Sequence, residues 1–390
     1  MSATIHRDLQ IPEPIADADR DDPTPEIIEA IRARFPTEGE YDRMLTRKME
    51  RRAGSGYRSF DLGLLTAALE NMLRDVLPTA FEVRNARWLT GGASKIQMGF
   101  TLRYSDPAGG DVTEDLVLRM EPPESLNATS RMREFEVINA LAGTVPVPTV
   151  RWVDEDGRWF PEPALVYTWV HGSAKPSRAQ SRIAGIGINF GPQLREVLAP
   201  QFVDLLARIH TFDVAAAPLD HYERPAVGGT ESALWQLNRA RRVWEEDRGE
   251  DLPLLDVAEG WLEDNLPVVD RVSLVHGDYR GGNFLFDEDS GSVTAILDWE
   301  RSFLGTAARV SEDAGATGEQ QRRATEELSS AISRALRETD ELDAATRRRI
   351  ERAVVAASLH RADVDRAWLL PLGFDPEPSS VRSLQAVFTP

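Results

Sequence analysis

The 390-residue chain has no cysteine, which excludes at once a disulfide framework, a thiolate nucleophile, a thiolate-held zinc and an iron–sulfur cluster. Lysine is nearly absent: Lys48, Lys95 and Lys175 are the only three, so a lysine at the edge of a motif stands out against an arginine-rich background. Positive charge is in the minority, 45 Lys and Arg against 64 Asp and Glu, for a net charge of −19. Such a surface is poorly suited to a phosphate backbone, and no nucleic-acid partner is expected. No stretch of eighteen apolar residues occurs, so no membrane partner or spanning helix is expected either. Residues 1–22 lack the apolar run and small-residue cleavage site of a secretory signal, and the expected compartment is the cytoplasm.

What is present is enough for real cores: 42% of the residues are hydrophobic, over a length that suits more than one domain. The first eighty residues read as helical. Thr24-Pro25 is a helix opening, with apolar residues following at Ile27, Ile28, Ile31 and Phe35; a second helix is expected over 38–52, and Leu62, Leu65, Leu69, Met72, Leu73 and Val76 form the stripe of a third. From Phe81 the period drops toward two. FEVRNARWLT, KIQMGFTLRY and EDLVLRM read as strands separated by glycine-bearing segments, a helix is expected over 128–141, and VPVPTVRWV and PALVYTWV are further extended runs. After Gly172 the chain reads as mainly helical, with one interruption: RVSLVHGD, NFLF, the turn DEDSGS and VTAILD make a hairpin.

That hairpin carries the chemistry. Asp278, Asn283 and Asp298 are oxygen-bearing side chains at a strand end, at the exit of a glycine-rich loop and at the end of the returning strand. A hairpin brings its two ends together, so Asn283 and Asp298 can face one site. One carboxylate and one amide suit magnesium, which takes oxygen ligands, keeps several waters and leans on substrate phosphates. Taken singly, each residue has an ordinary reading as a cap or a turn former. The three at this spacing do not.

HGDYRGGN, followed fifteen residues after its Asn by the Asp of ILDWE, resembles the H-G-D-x-x-x-x-N and D-x-E signature of the aminoglycoside phosphotransferase and choline kinase superfamily. The resemblance implies an α+β, two-lobed protein-kinase-like fold. Its parts would be an N-terminal helical extension over 1–80, a small antiparallel-sheet lobe over 81–170 that binds nucleotide, and a mainly helical lobe over 171–390 with the catalytic loop and metal site. It implies transfer of the γ-phosphoryl group of ATP, with GTP as the alternative, to a hydroxyl of a small molecule. Asp278 would be the catalytic base, Arg280 would neutralise charge on the moving phosphoryl group, and Asn283 and Asp298 would hold Mg2+. His276 would support the loop.

Upstream, LTGGASKIQMGF corresponds to the nucleotide-covering loop, making Gly91, Gly92, Ala93 and Ser94 candidates for phosphate contact and Lys95 a weaker one. LVLRMEPP places Arg119 where kinases carry their strand lysine and is similar to a subgroup that includes kinase-like domains fused to acyl-CoA dehydrogenases. The competing reading of Arg119 is a strand arginine reaching out to solvent. Its helix partner aligns with Glu134, with Glu136 open as the alternative. In the lobe-joining segment PALVYTWVHG, the main chains of Thr168 and Val170 correspond to the adenine contacts. His210 reads as packed or capping.

The chain departs from the family after DWE. Many relatives continue G-D-P-x-x-D-L-A, whose second aspartate braces the catalytic loop; here LGTAARVSEDAGATG follows, with Thr306 and Val310 at the aspartate positions and Asp313 within reach of a short insertion. Helices over 319–337 and 344–367 are expected to complete the second lobe. The departure keeps a rival in view, a catalytically silent pseudokinase that binds nucleotide or a partner. The acceptor stays open between a cationic compound and a hydroxyacyl thioester or other alcohol.

Overall fold

A computed structural model describes residues 15, 18–52, 60–89, 95–106, 109–123, 125, 128–177, 190–248 and 253–306. The expected helices over 319–337 and 344–367 lie outside them. By density of contacts the chain divides into two units. One comprises residues 10–248 and 267–307 and holds every element below except α7; the other comprises 1–9, 249–266 and 308–390, of which 253–266 are described.

Helices α1 (Pro25–Arg34), α2 (Gly39–Arg52) and α3 (Leu62–Val76) precede the sheet. The starts of α1 and α3 have a visible cause. Thr24 and Asp61 accept hydrogen bonds from the amides of Ile27 and Leu64, and Pro25 occupies the first turn of α1, where its missing N–H leaves no bond unmade. Strands β1 (Phe81–Trp88), β2 (Ile96–Asp106), β3 (Gly110–Met120), β4 (Val150–Asp154) and β5 (Ala164–Thr168) form one antiparallel sheet in the order β1-β2-β3-β5-β4, with α4 (Arg131–Leu141) inserted between β3 and β4. The sheet and its single helix match the expected α+β small lobe.

The period-two alternation of the strands decides which residues reach the functional side. Met98, Phe100, Leu102, Leu116, Leu118, Met120, Ala164 and Val166 bury one face against Leu65, Leu69, Met72 and Leu73 of α3. The opposite parity, Val117, Leu165 and Tyr167, packs with Val137, Ile138 and Leu141 of α4. Arg119 has this second parity and is paired with Leu165, so the pleat aims it at α4 and away from α3.

Helices α5 (Gly191–Thr211), α6 (Glu231–Asp247) and α7 (Pro253–Asp264) follow. The expected hairpin is present as β7 (Phe284–Phe286) and β8 (Val293–Ile296). A second short pairing carries no local sequence signal: β6 (Ser273–Val275), just before the loop from His276 to Asn283, pairs with β9 (Phe303–Gly305), just after the D-x-E segment. Leu205, Ile209, Leu274, Ile296, Trp299 and Leu304 extend the core beneath the loop.

Candidate active site

His276 is the base on which the loop is built. It is buried, with its Nε2 3.0 Å from the Leu297 carbonyl oxygen and its Nδ1 accepting from the Asp278 amide at 3.3 Å. The first bond needs the proton on Nε2 and the second a free Nδ1, a pattern that only the neutral ring supplies. Burial pushes its pKa below the ordinary histidine value and keeps the ring in that form. Gly277 follows with φ +79°, and a Cβ there would run into the Arg301 carbonyl, so the position requires glycine both for conformation and for space.

Asp278 then emerges half-buried, its side chain 30% exposed. Asn283 Nδ2 donates to its carboxylate at 2.8 Å and to its main-chain oxygen at 2.9 Å, and Arg280 Nε reaches the same carboxylate at 3.0 and 3.1 Å. Asn283 uses only its amide nitrogen in these bonds, which leaves its oxygen as the end that can meet a cation. Its main-chain oxygen accepts from the Leu297 amide at 2.8 Å and so ties it to the residue next to Asp298. Asp278 and Asn283 are thus joined by direct hydrogen bonds, and Asn283 is tied to the residue that immediately precedes Asp298.

Asp298 is one of two non-glycine residues with positive φ among the described residues, at φ 68° and ψ 50°. It stands at the cap position of the 3-10 turn Trp299–Arg301, yet its side chain makes no capping bond. The carboxylate is turned instead to Arg119, which donates to it from Nη2. A capping role for Asp298 is therefore excluded, and its unusual backbone orients the side chain toward the sheet.

Arg119 itself is buried, which overturns the solvent-reaching alternative. Its Nη2 also donates to Glu300 Oε2 at 2.6 Å, and its Nε lies 3.5 Å from Glu134 Oε1, an ion pair without a hydrogen bond. Glu134 is the helix acid of this pair. Glu136 turns the other way, 2.6 Å from Nδ1 of His221 and accepting from the His221 amide at 3.1 Å.

Around Arg119 a larger cluster forms that the motif reading missed. Lys95 Nζ is 3.2 Å from Glu121 and 3.3 Å from Glu300, while Arg131 pairs with Glu134, with Glu300 at 3.2 Å and with Glu121 at 3.6 Å. All but Asp298 are buried; Asp298 keeps a side-chain exposure of 24%. Burial alone would raise the Glu300 carboxyl, but Arg119, Lys95 and Arg131 outweigh it and hold the group well below the usual carboxylate range. Lys95, expected as a weaker phosphate contact, faces Glu121 and Glu300, and ion pairing is the role its geometry shows. The signals available were the last residue of D-x-E, which is Glu300, and the rarity of lysine.

Other candidates fall less centrally. The Thr168 amide donates to the Thr149 carbonyl at 2.9 Å and so is not open to an adenine edge, and Val170 follows two residues later, just past β5. Gly91, Gly92, Ala93 and Ser94 lie outside the described residues, as do Val310 and Asp313. Thr306 donates to the Val268 carbonyl at 3.1 Å. His210 is half-buried, its carbonyl accepting from Arg271, in keeping with a packed residue. Among the described residues no three His, Asp or Glu side chains gather as a metal cage. A donor set of one carboxylate, one amide oxygen and the neighbouring Asp278 still fits a cation that brings waters and phosphate oxygens with it.

Comparison with known proteins places this geometry. Residues 106–309 match the model of the phosphotransferase enzyme family. Acyl-CoA dehydrogenase family member 10 of Mus musculus is 31% identical over 193 residues, covering 49% of this chain and 17% of the relative. Acyl-CoA dehydrogenase family member 11 of Gallus gallus is 33% identical over 193 residues, covering 48% and 23%. The chain thus spans about a fifth of the length of the curated relatives it matches. Among solved structures, macrolide 2'-phosphotransferase MphH from Brachybacterium faecium aligns with a TM-score of 0.38 at 18% identity, over 83% of this chain and 98% of that one. An ethanolamine kinase from Plasmodium vivax aligns at 0.38 and 14%, over 76% and 71%. The family match, which runs over more than half of the 390 residues and contains the whole segment from Asp278 to Glu300, establishes that this chain belongs to the phosphotransferase enzyme family.

Proposed function

We propose that the protein transfers the γ-phosphoryl group of ATP to a hydroxyl group of a small molecule. The observation that carries the reading is that Asn283 bonds Asp278 and is tied through the Leu297 amide to the residue before Asp298, with Arg119 reaching the Asp298 carboxylate from the sheet. Asp278 accepts the proton of the acceptor hydroxyl as its oxygen bonds to the γ-phosphorus, and the bond from that phosphorus to the bridging oxygen breaks to release ADP. Magnesium, when bound, neutralises charge on the phosphate oxygens, and Asn283 and Asp298 are the residues that would hold it. Arg280, next to Asp278, is placed to meet the charge of the phosphoryl group. Little covalent chemistry falls to the protein, so positioning and charge supply the rate.

The acceptor is proposed only as a small-molecule alcohol, because one scaffold of this kind hosts many acceptors. Thermal stabilisation by ATP or GTP with and without magnesium, in the wild type and in Asp298→Asn, tests the nucleotide site; a panel of hydroxyl compounds then tests transfer by release of ADP. Stabilisation that needs the metal and is lost in the variant is the expected result. Stabilisation unaltered by magnesium and by Asp298→Asn would sink the metal assignment, and binding without turnover across the panel would favour a silent nucleotide-binding module.

A further inference from the structure

The helical extension before the sheet reaches further into the site than a cover would. Tyr41, on α2, is fully buried, and its hydroxyl donates to the main-chain oxygen of Glu300 at 3.1 Å. The guanidinium groups of Arg133 and Arg239 lie over its ring, 4.5 and 3.8 Å from the centroid, which holds the ring against lateral movement. Arg133 in turn donates to Glu38 Oε1 and to the Ser302 main-chain oxygen, both at 3.0 Å, and Tyr222 Oη is 2.6 Å from Ser302 Oγ.

Residues 298–302 are therefore held from two directions. The side chains of Asp298 and Glu300 are taken by Arg119, Lys95 and Arg131, and the backbone of Glu300 and Ser302 is taken by Tyr41 and Arg133. Asp298 sits two residues before the carbonyl that Tyr41 fixes, in a left-handed conformation uncommon for a residue other than glycine. No aspartate stands between Asp298 and Thr306 to brace this segment from its own chain.

We infer that Tyr41 is a positioning residue of the phosphoryl-transfer site: by anchoring the Glu300 carbonyl it holds Asp298 in the orientation that receives the metal, so the N-terminal extension forms part of the site's back wall. The assignment of Asp298 to the metal rests on the function proposed above, whereas the bracing of residues 298–302 does not. Tyr41→Phe removes the hydroxyl and keeps the ring. Thr37→Val serves as the matched control, because Thr37 Oγ1 also ties the extension to the body, donating to the Trp235 carbonyl at 3.1 Å, but far along the chain from Glu300.

Two readouts decide the matter in the full chain. Amide hydrogen exchange without ligand should rise over residues 298–302 in Tyr41→Phe and stay at the wild-type level in Thr37→Val. The magnesium concentration needed for half-maximal stabilisation by ATP should rise about three- to tenfold in Tyr41→Phe, as expected for loss of one buried hydrogen bond, and remain unchanged in Thr37→Val. Equal exchange over 298–302 in the two variants would overturn the inference and leave Tyr41 as a packing residue. Raised exchange in Tyr41→Phe with no magnesium-dependent ATP binding even in the wild type would support the bracing while removing the function on which its catalytic meaning rests.

Discussion

The two halves of the site are built by different means. On the sheet side, Lys95, Arg119, Glu134 and Glu300 are buried and each meets more than one ion-pair partner among Glu121, Arg131, Asp298 and one another. On the loop side, Asp278 and Arg280 have side chains 30% and 42% exposed and hold each other across a single pair. A buried carboxylate without its cations is expensive, so the first arrangement is fixed before any ligand arrives. The second is screened by water and free to exchange partners, as suits the roles proposed for the two residues at a phosphoryl group and its acceptor. The comparison teaches that this site separates what must be rigid from what must react.

Breaking the reactive side should give the largest effect. Asp278→Ala is expected to lower turnover about 10²- to 10⁴-fold with an acceptor that the wild type phosphorylates, while ATP-dependent thermal stabilisation persists. Loss of nucleotide stabilisation in that variant would mean that the loop is structural after all.

On the rigid side the deficit should appear as stability. Glu300→Gln leaves three buried cations short of a carboxylate and is expected to cost about 3–5 kcal/mol in urea unfolding, against less than about 1 kcal/mol for Arg280→Gln. Similar losses in the two variants would erase the distinction.

Acid sharpens it further. The folded Glu300 carboxyl titrates below its unfolded value of about 4.3, so its contribution is complete above that value and is lost as the pH falls beneath it. The melting-temperature gap between wild type and Glu300→Gln should be full at pH 7 and narrower at pH 3.5.

The smallest effect belongs to a pair outside both regions. Burial lowers the pKa of His221, but the hydrogen bond and charge of Glu136 outweigh it and raise the net value. This contribution is fully present below about pH 6.5 and fades as the pH rises through the folded pKa. The gap between wild type and Glu136→Gln should accordingly be wider at pH 5.5 than at pH 8.5, and a gap that widens on going alkaline would show that the pair is not the source.

Legibility in the sequence followed locality. The strands, α4 and the β7–β8 hairpin were readable because alternation and turn residues act over a few positions, and the same parity argument could have placed Arg119 on the α4 face. The sequence order of Asp278, Asn283 and Asp298 implied their meeting because a hairpin is a local object. What could not be read was long-range: that β9 returns to β6, that Lys95 would turn inward to Glu121 and Glu300, and that Tyr41 would meet a carbonyl 259 residues away. Nor could spacing choose between Glu134 and Glu136, since both lie on one helix only two residues apart. Their partners decide it, Arg119 for the first and His221 for the second.

The pairing of strands β1 to β3 sets a limit on where this chain can be cut. A fragment beginning at residue 106, where the family match begins, would lose β1, all but the last residue of β2 and the α3 stripe that covers their apolar face. It would strip β3 of the neighbour that spans its full length and leave Leu116, Leu118 and Met120 as an uncovered hydrophobic edge, a template for aggregation. The portable piece of this molecule therefore starts upstream of α3, and moving the segment from Asp278 to Glu300 into another protein means moving its helical preface with it.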